Sequence, residues 1–495
     1  MTGFAPDPSD RTRRFLRKLG ADETAVAARA PRTVIELSAA YLDPPTEVAL
    51  ALTAILLVRL ADFAPVIRIV APRGRTVALP CLPDTPLPEA LAAAHEGFAS
   101  ADRITTSPSG YCDLRLVFNG PAGGVAVDSA GWAVAIGHRL DGTGNGLAAA
   151  YAGALASAEA FKTVIGTVPR RVKPWRGVVS LWDNSVTAVA GPPVPELQLG
   201  SHAWIGAGGV ASATAWTLAA LYHAGTLLSG HGSVVDDDTI DEDGTNLNRH
   251  LIALMTDLGA SKADLLAGLL VQCGLPLKPR QCRWENLPQA ERHPSLAVIS
   301  VDDDAVRRAV QYDMPRTIVN AGTGNQGEYQ ASTHGFLNGA CLACISRADK
   351  TASGPEASLA ARLGIPQEAL KPLLSSINPL PSHILEAARL TDQERTEIAH
   401  IPGRRVMQRF CDDLILTDSE PAVSAPMLSA AAGVLLAVEM ARNSQLDVPG
   451  PAGRVVRTSI LTGPHKHWYS QRGKTANCRC TDTVYQQHYR SHWPT

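Results

Sequence analysis

From residue 32 the apolar positions of this chain fall into alternating blocks. RTVIELSAA (32–40) has the β-branched compactness of a strand, PPTEVALALTAILLVRLADF (44–63) the length of a helix, and APVIRIVAP (64–72) reads as a second strand. The loop between the first two, YLDPP, carries no glycine. YCDLRLVFNG (111–120) and GVAVDSAGWAVAIG (124–137) add strands, and GLAAAYAGALASAEAFK (146–162) closes the section as a helix. A proline-dotted stretch, AGPPVPELQLGS (190–201), disfavours regular structure and sets a boundary, so residues 1–195 are expected to form one domain.

The alternation then restarts. AWIGA (203–207) reads as a strand, 211–224 as a helix, GTLLSGHGSVVDDD (225–238) as a strand and 248–272 as a helix. SLAVISVDDD (295–304) and RTIVNAGTG (316–324) are further strands. Such alternation predicts an α/β fold, a mostly parallel sheet with helices on both faces. Residues 346–425 break the rhythm with short, polar, proline-dotted helical stretches and read as an insertion. It splits the second domain into 196–345 and 426–495, the latter opening with a helix over 427–442. AGALASAEAFK (152–162) and AGVLLAVEMAR (432–442) align without gaps, Gly153 on Gly433 and Glu159 on Glu439. Either two alanine-rich helices resemble one another, or each ends an equivalent half.

Composition narrows the class without naming a chemistry. A chain of 495 residues predicts two or three domains, and 45% hydrophobic with 19% charged residues is a globular balance. A net charge of −2 gives no footprint for nucleic acid or a membrane surface. The arginine-bearing start has no apolar run behind it, and the apolar stretch 47–63 carries Arg59 and is too short to span a bilayer. Nine cysteines in so long a chain are read as thiols of a reducing cytoplasm.

The candidate chemistry begins at WIGAGGVAS (204–212). Gly206, Gly208 and Gly209 follow a strand and open a helix, where free amides and the helix dipole favour phosphate. The next strand ends in VVDDD, and Asp236, with Asp238 beside it, stands where a ribose hydroxyl is gripped. NAD and ATP are equal at that point. GTNLNRH (244–250) and GASKADLL (259–266) separate them: Asn246, Arg249 and Lys262 supply an amide and two cations beyond the turn. Cleavage of a triphosphate needs such donors, and hydride transfer does not. Asp302, in SVDDDAVRR, suits Mg²⁺, while Asp303 or Asp304 suits a helix cap.

The ordered set GAGGVAS, VVDDDTI, TNLNR, GASKAD, SVDDDAVRR, NAGTG and CLAC resembles the ThiF/MoeB superfamily and its relatives, the ubiquitin-activating enzymes. The resemblance covers roughly residues 200–345 and the helix near 427–442. It implies two Rossmann-like halves, the first degenerate and the second an active adenylation domain, with the insertion carrying a catalytic cysteine. In that scheme Gly206, Gly208 and Gly209 cradle phosphates and Asp236 binds ribose. Asn246, Arg249 and Lys262 contact phosphates, and Asp302 holds Mg²⁺. The family's third glycine is Ala211 here. DRTRRFLRKLG (10–20) is similar to an arginine-rich opening whose arginine reaches the nucleotide of the other half, matching Arg14 or Arg11; a basic amphipathic helix would look the same. Two unequal halves in one chain resemble the fused, pseudo-dimeric bacterial type (BilD-like).

Cys341 and Cys344 (CxxC), read at the end of a strand, with Cys478 and Cys480 (NCRC) suit a structural Zn²⁺, a site that related proteins carry; otherwise they are plain thiols or a redox pair. Cys411, in GRRVMQRFCDDLIL, falls where the resemblance puts the thioester cysteine, flanked by arginines that lower and aspartates that raise a thiol pKa. The expectation is therefore a cytoplasmic enzyme that adenylates the C-terminal glycine of a ubiquitin-like protein with ATP. It would take the acyl group onto Cys411 and pass it to a conjugating enzyme, in an antiviral system of bacteria. The alternatives are adenylation of a sulfur carrier or peptide without a thioester, and a nicotinamide oxidoreductase.

Overall fold

The computed structural model describes residues 7–494 apart from 73–78, 99, 109, 121–122, 168–171, 325–326, 347–354, 375, 377, 391, 401–405, 407–423, 445–452 and 477. The chain divides into two compact units, one of residues 1–346 with 423–495 and one of residues 347–422.

The larger unit holds two sheets. Helices α1 (Asp10–Lys18) and α2 (Glu23–Arg29) lead into β1 (Val34–Ala39), α3 (Pro44–Val58), β2 (Val66–Val70), α4 (Leu87–Ala94) and β3 (Ile104–Thr105). Then come β4 (Leu114–Asn119), β5 (Val125–Ala130), β6 (Ala133–Ile136), α5 (Gly146–Ile165) and β7 (Gly177–Ser180). The second sheet runs β8 (Glu196–Ile205), α6 (Gly209–His223), β9 (Leu227–Val235), α7 (Lys262–Gln272), β10 (Leu277–Arg280), β11 (Leu296–Ile299), α8 (Asp304–Tyr312), β12 (Thr317–Thr323) and β13 (Glu328–His334). The short α9 (Leu342–Ile345) follows, and later the long helix Pro426–Ser444, β14 (Arg454–Ser459), β15 (Tyr469–Gln471) and the helix Thr483–His492.

The two sheets have one topology. Their orders are β3-β2-β1-β4-β5-β6-β7 and β10-β9-β8-β11-β12-β13-β14-β15, the same path with one strand added. In both, the first five strands of the order are parallel and the rest antiparallel. This is a two-half α/β fold of Rossmann type.

Helices α3, α5, α6 and Pro426–Ser444 are buried along nearly their whole length, so their sequences are apolar all round rather than amphipathic. Small residues let the backbones touch. Thr53 Oγ1 sits 2.7 Å from Ala49 O and 3.1 Å from Gly153 O; Thr214 Oγ1 sits 2.9 Å from both Val210 O and Gly433 O. A Cβ on Gly153 would lie 2.6 Å from Ala49 O, and one on Gly433 would collide with Val210 O. Glu159 pairs with Lys162 and Arg176, and Glu439 pairs with Arg442 and Arg454, just before or at the next strand. The matched glycines and glutamates thus occupy equivalent places in equivalent halves.

Two expectations are corrected. The helix predicted over 248–272 begins only at Lys262, with Ser261 Oγ accepting from Asp264 N at 3.2 Å; residues 248–261 are a loop with a single 3-10 turn at Met255–Asp257. That loop carries apolar residues at helical spacing, but its backbone groups are taken by long-range partners described below. The CxxC does not end a strand: Cys341 stands at the N-cap position of α9, seven residues beyond the end of β13. The second unit contains α10 (Pro355–Leu363), α11 (Gln367–Leu374), α12 (Ser382–Ala387) and α13 (Asp392–Ile398), around a core that includes Leu359, Leu363, Leu370 and Ile398. Among the described residues no helix is long and apolar enough to cross a membrane.

Candidate functional site

Strand β8 lies between β9 and β11, and the chain leaves it first to one side and later to the other. The crevice beyond the C-terminal ends of these strands is the switch point where parallel α/β sheets bind ligands. The turn from β8 to α6 sits at that mouth. Gly206 has φ +90, and a side chain there would strike Val301 Cγ1 at 2.8 Å, so glycine is required for the approach to the loop after β11. Gly208 is different: a Cβ there would meet nothing within 4 Å. No side chain caps α6 at Gly208. The fifteen-residue helix α6 therefore starts without a side-chain cap beside an open position, and an uncapped helix start is an arrangement that suits anions.

Three of the sequence-named residues surround this turn. Arg249 lies along it, since a Cβ on Gly209 would be 3.0 Å from Arg249 Cγ. Asn246 is 4% exposed, yet its side-chain amide makes no hydrogen bond among the described residues; its carbonyl oxygen accepts from Arg249 N and His250 N. Lys262 is also buried, and its Nζ donates to Asp238 Oδ2 at 2.9 Å. Asp236 braces the turn directly: Oδ2 accepts from Ala207 N at 2.5 Å and Oδ1 from Asp238 N at 2.8 Å. Burial raises the Asp236 carboxyl pKa, and the nearby Lys262 ammonium and the Ala207 amide oppose the rise. Asp302 stands exposed just past Val301, while the capping role falls to Asp303, whose Oδ1 accepts from Ala305 N at 2.6 Å, and Asp304 pairs with Arg307. An exposed carboxylate beside the turn is a donor that suits Mg²⁺.

Residues not singled out from the sequence hold this loop. His250 is wholly buried and its Nε2 lies 2.9 Å from Ala207 O. Burial first, then the Lys262 charge, push its pKa down to about 3, so the ring is neutral and Nε2–H is the donor. Leu251 N donates to Ser212 Oγ at 3.1 Å, and Ser212 Oγ donates to Gly209 O at 2.9 Å. The only signal for His250 in the sequence is its place next to Arg249.

The opening helix α1 reaches the same loop. Thr12 Oγ1 accepts from Asn248 Nδ2 at 2.8 Å, and Asp7 N donates to Asp243 O. Arg14 is buried and ion-paired with Asp10 one turn earlier. Arg11, 9% exposed, makes no hydrogen bond or ion pair among the described residues. A buried guanidinium without an acid is a costly arrangement that an incoming anion would relieve.

The matching turn of the first half, residues 40–43, is closed by its own side chains. Asn119 Oδ1 accepts from Ala40 N (2.7 Å) and Tyr41 N (3.1 Å), its Nδ2 donates to Tyr41 O (2.6 Å), and Asp43 Oδ1 caps α3 through Thr46 N (2.9 Å). The cavity there is walled by these same groups, including Tyr41, Asp43 and Asn119.

The four zinc-candidate cysteines converge. Sγ–Sγ distances are 3.7 Å for Cys341–Cys344, 3.5 Å for Cys341–Cys478 and 3.5 Å for Cys344–Cys480. All four sulfurs lie within 4.8 Å of one another, and a tetrahedron with Zn–S near 2.3 Å requires spacings of about 3.8 Å. Hydrogen bonds from Cys341 and from Thr475 N favour the Cys344 thiolate, lowering its pKa to about 4. Hydrogen bonding to Cys344 and burial push Cys341 up, and burial pushes Cys480 to about 12. Without a cation they cannot all ionise, so the set fits a metal that neutralises thiolates. Cys411 lies outside the described residues.

No protein-family model matches the chain. It is similar to the uncharacterized protein y4jF of Sinorhizobium fredii (strain NBRC 101917 / NGR234), 27% identical over 391 residues, 74% of this chain and 73% of that protein. Among solved structures it is similar to E. coli MccB with MccA, at 14% identity over 58% of this chain and 68% of that one, TM-score 0.35. Similarity to PaaA is 14% identity over 56% and 64%, TM-score 0.29.

Proposed function

We propose that the second half binds Mg-ATP and adenylates a C-terminal carboxylate. The carboxylate oxygen attacks the α-phosphorus, the bond to the β-phosphate oxygen breaks, pyrophosphate leaves and an acyl-adenylate forms. The uncapped turn at Gly208 offers amides to the phosphates. Arg249, Lys262, the Asn246 amide and Arg11 meet the charge that grows on the phosphoryl oxygens. Asp236 and Asp238 face the ribose, and Asp302 is the residue that would hold Mg²⁺, which neutralises the leaving pyrophosphate. The observation that carries this reading is the Asn246 side chain, without a hydrogen bond among the described residues, in a loop whose Arg249 lies against Gly209. A site for hydride transfer would not gather these donors beyond the pyrophosphate.

In the finer reading the carboxylate belongs to the C-terminal glycine of a ubiquitin-like protein, Cys411 takes the acyl group as a thioester, and a conjugating enzyme receives it in a bacterial antiviral system. Zn²⁺ on Cys341, Cys344, Cys478 and Cys480 is structural in this scheme, and the first half completes the site of the second within one cytoplasmic chain. Domain limits of 1–195, 196–345, 346–425 and 426–495 belong to the same reading.

Mg-ATP is expected to raise the thermal midpoint where NADH does not, and ATP–pyrophosphate exchange is expected with a small glycine-ending protein encoded nearby. Midpoint stabilisation by NADH alone would overturn adenylation. Exchange that survives Cys411→Ala while a reducible carrier adduct is lost supports the thioester; a carrier that never forms the adduct leaves plain adenylation of a peptide or sulfur carrier. Metal analysis of the purified chain, about one Zn²⁺ in wild type and none in Cys344→Ser, tests the cysteine cluster.

A further inference from the structure

Arg59 ends α3 in the first half, 1% exposed, and no carboxylate among the described residues is bonded to it. Its guanidinium instead reaches into the other half. Nη1 donates to Leu247 O and to His250 O (3.0 Å), and Nη2 to Leu251 O (3.1 Å) and Ala253 O (2.9 Å). Four acceptors come from one seven-residue stretch. Asn248 Nδ2 adds a bond back to Arg59 O at 3.2 Å. Burial lowers the Arg59 pKa to about 10, so the group stays charged at neutral pH, with the Phe98 ring 5.6 Å away. Removing a cation from water without an opposite charge is costly; the four carbonyls offset that cost at Nη1 and Nη2, while the buried Nε makes no hydrogen bond among the described residues. The fork of the guanidinium matches several carbonyls at once, which an ammonium cannot.

The stretch it grips has the glycine turn on its other side. His250 bonds to Ala207 O, Leu251 N to Ser212 Oγ, and Arg249 lies against Gly209, with Asn246 buried one step before. Residues 246–253 therefore form a wedge, fastened by Arg59 and Thr12 of the first half on one face and pressed to the nucleotide turn on the other. The carbonyls that Arg59 ties up belong to a segment that is neither helix nor strand, whose local bonds are isolated turns such as His250 N to Asn246 O and Ala253 N to His250 O.

We propose that Arg59 is a positioning residue: it holds the 246–253 loop in the geometry in which Asn246 and Arg249 meet phosphate, and this is a task the degenerate first half performs for the second. The role rests on the ATP-binding reading above. Arg59 does not touch the nucleotide; it acts through Arg249 and Asn246. Arg59→Lys keeps the charge and loses the fork, so it separates geometry from electrostatics.

The test combines hydrogen exchange with Mg-ATP affinity on the full chain. In Arg59→Lys the amides of 246–253 are expected to exchange at least tenfold faster, with β1 and β8 amides unchanged, and the Mg-ATP Kd to rise about tenfold or more. Paired with Arg249→Ala, the affinity losses are expected to be less than multiplicative, because both remove the same contact. A purely structural role would instead give multiplicative losses alongside a lower thermal midpoint, and would overturn the proposal. So would wild-type exchange rates and Kd in folded Arg59→Lys. If that variant does not fold, Thr12→Val, which removes the Asn248 anchor, carries the same expectations. A wild-type chain that binds no Mg-ATP defeats the adenylation reading, whereas the exchange of 246–253 in the variants still decides whether Arg59 fixes the loop.

Discussion

The two halves share a strand order, a helix pair joined through a threonine and a glycine, and a buried glutamate with two cations, yet their first turns are opposites. In the first half, Asn119 and Asp43 consume the amides that a ligand would need, and two prolines start the helix. In the second, no side chain caps the helix and the space over Gly208 is open. The core that joins the helices is common to both, while the uncapped turn is found in the second half and the side-chain-capped turn in the first. Packing and turn chemistry are thus separable in this fold: the half with the capped turn supplies a buried arginine, a threonine and α1 to its neighbour.

The comparison breaks most visibly in activity. Arg249→Ala or Lys262→Ala is expected to lower pyrophosphate exchange by about 10²–10³-fold. Asn119→Ala, at the matched turn, is expected to leave exchange within about twofold while lowering stability through its lost hydrogen bonds; a large activity loss there would show that the first turn also serves the reaction. Next come the paired glycines. Gly153→Ala and Gly433→Ala each force a Cβ into a backbone carbonyl of the facing helix and are expected to cost roughly 1–3 kcal/mol in urea unfolding. A cost in one half alone would break the equivalence.

Acid sharpens the contrast further. His95 in the first half is held near a pKa of about 3, and in the second His250 near 3 and His202 and His334 near 4, in each case by burial. The fold keeps these rings neutral while the unfolded chain protonates them below about pH 6.5. Their contribution is therefore complete above that pH and is lost as pH falls toward 4, by ~1.4 kcal/mol per pH unit for each ring. His202→Gln is expected to flatten the profile measured by urea titration from pH 7 to 4.5. The smallest stability change belongs to Gly208→Ala, within about 0.5 kcal/mol because the position is open, and yet it should weaken Mg-ATP about tenfold by filling the space over the turn.

Much of the scaffold was legible in the pattern of residues. Strands β1, β2, β8 and β9 and the four buried helices have runs long enough to show their period, and the glycines of 206–209 mark the turn from β8 to α6. β10 was missed as a four-residue strand at the parallel edge, and β13 and β14 as strands with polar positions in the antiparallel part of the sheet. The span 248–261 was misread because leucines and alanines at helical spacing also suit a loop whose apolar side chains are buried. The arginine of α1 was assigned from the sequence to Arg14 or Arg11, and only the fold shows Arg14 paired with Asp10 while Arg11 has no partner among the described residues.

By itself the sequence determined the alternation, the two-half plan, the glycine turn and the residue types gathered beyond it, because period and turn chemistry act over a few neighbours. Tertiary structure alone decided which donors reach that turn, that four sulfurs separated by 134 residues between Cys344 and Cys478 meet, and that Arg59 spends its charge on another half's carbonyls. Those outcomes depend on contacts between segments far apart in the chain, where burial leaves each polar group to find whichever partner the packing brings.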